Sequence, residues 1–169
     1  MKYLSNSLLF LTLIILINGC NKNTVEITQD YLKGKWNASA LKVEQEDDFK
    51  LTIKLEAVTH FDGKGTCSDE GKIHLIMTDG QMSYKFDFDY KSKDTYSING
   101  YLLTTQTTEF EMNASNEKTK VNMEQLGIDF IEEMKMSLDE KSKAKIISSS
   151  QNTFEVMEDD ILCLYKRAK

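Results

Sequence analysis

The chain has 169 residues, with 21 Lys and Arg against 27 Asp and Glu, a formal net charge of −6, no proline and three cysteines. An acidic chain without basic clusters is a poor fit to nucleic acid, and to electrostatic capture by anionic lipid. The length, free of repeats and low-complexity blocks, suits one domain with a real core.

The chain opens with Lys2 and an apolar run from Leu8 to Ile17, closed by Leu16-Ile17-Asn18-Gly19-Cys20. The run has the length of a signal-peptide core and is too short to span a bilayer comfortably. An A-x-A-like cleavage end is missing, and Asn18, Asn21 and Lys22 stop the apolar run from extending into an anchor. An aliphatic residue, two small or polar ones and a cysteine resemble the lipobox of bacterial lipoproteins. That resemblance implies a signal peptide over 1–19, a diacylglyceryl group on the Cys20 sulfur and an acylated new N-terminus. It places the protein in the bacterial cell envelope, with the membrane as partner through the lipid. Asn rather than Asp at position 21 resembles outer-membrane lipoproteins of the enteric pattern, facing the periplasm.

Residues 20–30 read as a polar lipidated tether and 31–169 as the folded domain. Lys35 to Val43 is the first expected strand, with Gly34-Lys35-Trp36 at its start. From Phe49 to Phe61 the pattern has period two. Phe49, Leu51, Ile53 and Leu55 share one face, and Lys50, Thr52, Lys54 and Glu56 the other, as in an antiparallel strand with one wet side. Asp62-Gly63-Lys64-Gly65 is a turn. Ile73–Met77 reads as a strand and Thr78-Asp79-Gly80-Gln81 as a tight turn. The row Tyr84, Phe86, Phe88 and Tyr90 alternates with Lys85, Asp87, Asp89 and Lys91. Thr95–Asn99 and Tyr101–Met112 flank the turn signal Asn99-Gly100.

Asn122 to Leu138 changes period. Met123, Leu126, Phe130, Ile131, Met134 and Leu138 fall on one helical stripe, and Asn122 with Gln125 has capping-box spacing. Gly127 weakens this helix by about 1 kcal/mol relative to Ala. Strands are expected again over Ala144–Ser148, Thr153–Met157 and Ile161–Arg167. The expected architecture is therefore mainly β, an antiparallel up-and-down barrel of eight or nine strands with one helix near the C-terminus.

Gly34-Lys35-Trp36 before the first strand, and Arg167 on the last, resemble the Gly-x-Trp motif and terminal basic residue of lipocalins and bacterial lipocalin-like proteins. The resemblance implies that Trp36 plugs a closed end and that Arg167 lies over its indole. A helix placed before three strand-like segments departs from the lipocalin order.

With Cys20 assigned to lipid, Cys67 and Cys163 are an even pair in an oxidising compartment, so a structural disulfide is expected, with two free thiols as the alternative. No catalytic, nucleotide-binding or cofactor motif is present, and His60 and His74 are too few for a histidine-rich metal site. Asp62, Asp69, Glu70, Asp47-Asp48 and Glu158-Asp159-Asp160 read as solvated turns. The inward row Phe49, Leu51, Ile53, Leu55, Tyr84, Phe86, Phe88 and Tyr90 either lines a cavity for a small apolar ligand or fills the interior. The expected function is non-enzymatic binding of such a ligand. The alternative is a periplasmic protein-binding module, an inhibitor or assembly accessory.

Overall fold

The computed structural model describes residues 25–138 and 141–169; the Cys20 anchor expected from the sequence lies outside them. The fold is mainly β. Eight antiparallel strands run in chain order: β1 (Gly34–Glu46), β2 (Phe49–Phe61), β3 (Thr66–Asp79), β4 (Met82–Asn99), β5 (Leu102–Ala114), β6 (Ser142–Ser149), β7 (Thr153–Glu158) and β8 (Ile161–Arg167). They form a closed barrel in which each strand pairs with its sequence neighbours and β8 returns to β1. The connections are short because the turn chemistry allows it. Two-residue loops join four of the strand pairs, and in the β7–β8 loop both Asp159 and Asp160 adopt the left-handed conformation of a type I′ turn.

β2 spans the full alternating stretch. β3 is longer than the expected Ile73–Met77 because the polar run Thr66–Lys72 continues the ladder against β2 and β4. β4 likewise joins two expected strands into one of 18 residues, with a bulge at Lys93/Asp94 where Thr108 of β5 is the extra residue. Gly71 sits inward on β3 opposite Ala57. A Cβ there would lie 2.3 Å from the Glu56 carbonyl oxygen and 2.7 Å from Ala57 Cα, so only glycine lets the two strands approach this closely.

Among the described residues there are three helices, two of them where a single one is expected. α1 (Gln29–Leu32) precedes the barrel, and α2 (Glu117–Leu126) and α3 (Phe130–Ser137) lie between β5 and β6. The expected continuous helix is divided at Gly127, whose N–H returns to the Met123 and Glu124 carbonyls. Asp129 then caps α3 by accepting from the N–H groups of Ile131 and Glu132. The start is also earlier than expected. Asn116 is the cap of α2, accepting from Thr119 N, while Asn122 donates to the Lys85 carbonyl at 3.0 Å. That contact has a structural purpose. β5 leaves β4 at Phe88, which exposes the edge of residues 82–87. Thr119 accepts from Asp87 N at 3.0 Å, Ser115 N donates to Asp87 O at 2.8 Å, and α2 so covers the edge.

The core has two clusters. One surrounds Trp36 with Leu32, Phe61, Tyr96, Phe154 and Val156. The other joins Ile73, Leu75, Phe86, Phe88 and Met112 to the apolar stripe of α2 and α3. Residues 25–30, expected to belong to a tether, lie against the barrel: Ile27 is buried in the first cluster and the Ser149 hydroxyl donates to the Val25 carbonyl.

Candidate functional site

The Trp36 end of the barrel is shut. The Trp36 indole N–H donates to the Leu32 carbonyl at 2.6 Å, and its ring meets Phe154 edge-on at 4.9 Å and Tyr31 at 5.4 Å. The Arg167 guanidinium lies 4.2 Å from the Trp36 ring centroid, the range of a cation–π contact, and donates to the carbonyls of Lys33 and Tyr31. Gly34 permits this junction, since its φ of +116° is a conformation closed to ordinary L residues.

The opposite half of the interior is filled. Phe130 of α3 packs edge-on against Phe86 at 5.0 Å and Phe88 at 6.3 Å, so the centre of the aromatic row is covered by the helices. Leu51, Ile53 and Tyr84 pack partly buried against the same cluster, and Phe49 is exposed at the strand end.

Between the two clusters lies a cavity of about 250 Å³ to which all eight strands contribute. Of the aromatic and aliphatic row expected to line it, Leu55 and Tyr90 do so. The space itself comes from small inward residues, Ala38, Ala40, Ala57 and Ala144, where the neighbouring levels carry Trp36, Phe61 and Phe154. Its polar groups are Thr59, Asp69, Thr105, Ser142, Glu158 and the Tyr90, Cys163 and Tyr165 side chains; among the described residues no Lys, Arg or His lines it. Asp69, which reads from sequence as part of a solvated turn, is instead an inward residue of β3.

The electrostatics are uneven. Asp94 is well satisfied, accepting from Thr107 at 2.6 Å and Ser92 at 2.8 Å. Asp69 is less well served: the same Ser92 hydroxyl stands 3.4 Å away with its single proton directed at Asp94, and the Thr59 hydroxyl across the β2–β3 ladder is its other polar neighbour. Burial, reinforced by the nearby Asp94 charge, pushes the Asp69 carboxyl up to about 6. The Tyr90 and Tyr165 hydroxyls are pushed up by burial as well. By contrast Asp62, exposed in the β2–β3 turn, accepts from the Lys64 and Thr66 N–H groups and is held down at about 2.

Cys67 and Cys163 are both free in this structure, not joined in the expected bridge. They stand on β3 and β8, which are not neighbours in the barrel, and each sulfur is packed among interior side chains. Burial raises both thiols, Cys163 to about 11. At pH 8, native Cys163 should therefore react with a thiol reagent about a hundredfold more slowly than an ordinary cysteine, Cys67 more slowly still, and both rapidly in denaturant. Fast labelling in native buffer, or no thiol released on unfolding, would contradict this assignment.

His74 is committed to Asp87, with its Nδ1 2.6 Å from the carboxylate. Among the described residues no helix is long and apolar enough to cross a membrane. No family model matches the chain, and no curated protein matches it.

Proposed function

We propose that the protein is a bacterial envelope lipoprotein with a lipocalin-like barrel, that it binds a small, largely apolar molecule in its interior, and that it catalyses no reaction. The observation that carries this reading is the cavity between the two core clusters, lined by residues of every strand, half of them aliphatic, and shut at one end by Trp36 and Arg167. A closed sheet with one plugged end and a small interior is an architecture for holding a ligand.

The lipid anchor agrees with how the chain enters the fold. Cys20 is five residues from Val25, a reach of no more than about 18 Å, and Val25 is held by Ser149 at the shut end. An acylated Cys20 therefore sets that end toward the membrane and the helix-covered end away from it. The charges run the same way. Lys33, Lys35, Lys64, Lys166, Arg167 and Lys169 gather at the shut end, opposed by Glu26, Asp30 and Asp62, while Asp47, Asp48, Asp79, Glu158, Asp159 and Asp160 ring the other.

Two measurements test the proposal. A Cys20→Ser protein should lose acyl labelling and stop fractionating with membranes; unchanged membrane association would end the lipoprotein reading. Native mass spectrometry of protein released from its own envelope should show a small-molecule adduct beyond the acyl groups. The protein-binding module is the second reading, favoured by the exposed apolar residues Leu41 and Val43 of β1 and Leu162 of β8. Co-purification of a stoichiometric protein in place of that adduct would support it.

A further inference from the structure

We propose that the interior cavity is selective for a small organic cation, an amphiphilic primary amine whose ammonium group is received by the Asp69 carboxylate. The inference rests on the ligand-binding reading above and adds the chemical class of the ligand.

The cavity is short of hydrogen-bond donors for its carboxylates. Among the described residues the cavity carries two carboxylates, Asp69 and Glu158, and no basic side chain. Glu158 already accepts from the Ser142 hydroxyl, and Asp94, just behind the lining, is satisfied by Thr107 and Ser92. Asp69 is the group left short. A half-buried carboxylate without good donors is costly, and a polar ligand recovers that cost by bringing the donors with it. An ammonium brings three donors and a compensating charge. A carboxylate or phosphate ligand would instead meet acceptors only.

A second feature points into the same space. Thr59 lines the cavity, is 2 % exposed, and its hydroxyl has no hydrogen-bond partner. It stands opposite Asp69 in the β2–β3 register, where it lowers that carboxyl's proton affinity without closing a bond of ordinary geometry. An orphaned buried hydroxyl is uncommon in a finished interior, and here it can accept from a ligand N–H. The rest of the wall, Ala38, Leu55, Ala57, Leu103, Val156 and Ile161, suits an aliphatic or small aromatic body.

The test uses three probes of one shape, hexylammonium, hexanol and hexanoate, titrated calorimetrically into the full-length protein at neutral pH. Hexylammonium should bind most tightly and hexanoate most weakly. Asp69→Asn should weaken hexylammonium about tenfold or more, the loss expected for a charged hydrogen bond, while leaving hexanol within about twofold. Thr59→Val, which keeps the side-chain shape, should weaken hexylammonium by a smaller factor. If hexanol binds as well as hexylammonium, or Asp69→Asn weakens all probes alike, the cavity reading stands and the cation selectivity falls. If none of the three binds, the ligand-binding reading falls and takes this proposal with it.

Discussion

Replacing Trp36 by Ala should cost about 3–5 kcal/mol of folding stability, the range for deleting a large aromatic from a core that collapses only partly. The indole is fully buried and supports four neighbours at once. Phe154 and Tyr31 pack on its ring, Leu32 O accepts its N–H, and Arg167 covers its face. Truncation leaves a void under α1 and an unpaired carbonyl at Leu32. Arg167→Ala should cost less, about 1–2 kcal/mol, because the half-exposed guanidinium gives up two hydrogen bonds and a cation–π contact but opens no cavity. Urea unfolding of the two variants, compared at equal m-value, checks the order. A Trp36→Ala loss below about 1 kcal/mol, or an Arg167→Ala loss exceeding it, would mean that the shut end does not hold the barrel together.

The part of the fold legible in the sequence is the part where one physical rule acts alone. Phe49–Phe61 alternates without interruption, and the strand has those bounds. Ile161–Arg167 is bracketed by a left-handed aspartate turn and the chain end. Legibility fails where rules compete. In β4 the polar inward residues Ser92 and Asp94 break the apolar alternation, although the strand runs on, because Asp94 at the bulge is satisfied by Thr107, 13 residues along the chain. At Gly127 a helix-weakening residue between two good helical stripes is a junction, and the aspartate two positions later supplies the second cap. The stripe itself was readable, since Met123, Leu126, Phe130, Ile131 and Met134 all reach the core.

The cavity was less legible still, for a reason that belongs to its chemistry. Large apolar residues announce a core, and in this chain the most prominent are Phe86 and Phe88. Those rings meet Phe130 and leave no room. Space is made by what is small, and an inward alanine looks in sequence like any other alanine. Ala38, Ala57 and Ala144 matter because the register of strands far apart in the chain brings them to one place. Asp69 was hidden similarly, as an acidic residue near a glycine turn whose strand membership shows only in the pairing with Thr59.

Asp69→Asn should stabilise the folded protein at neutral pH. The sign follows from the proton. The native carboxyl titrates at about 6, raised from 3.8, so the folded chain holds that proton more tightly than the unfolded chain does. The stability associated with it is complete below about pH 4 and is lost as pH rises through about 6. Above that, the charge is carried at a cost on the order of 2–3 kcal/mol, taking about 1.4 kcal/mol for each unit of displacement. The groups around it reinforce rather than relieve this. Asp94 and Tyr90 on β4, Cys163 and Tyr165 on β8, Cys67 on β3 and Glu158 on β7 include no cation. Asp62 acts in a separate window, since its depressed value near 2 makes its contribution present above about pH 4 and lost only as pH falls toward 2. Urea midpoints of the native chain and Asp69→Asn should therefore nearly coincide at pH 4 and separate in favour of the variant by pH 7.5. A variant less stable than the native chain at pH 7.5 would make Asp69 a structural member of the core. A gain in stability, joined to loss of hexylammonium binding, is instead what a recognition group produces when the fold bears its charge for the sake of a ligand.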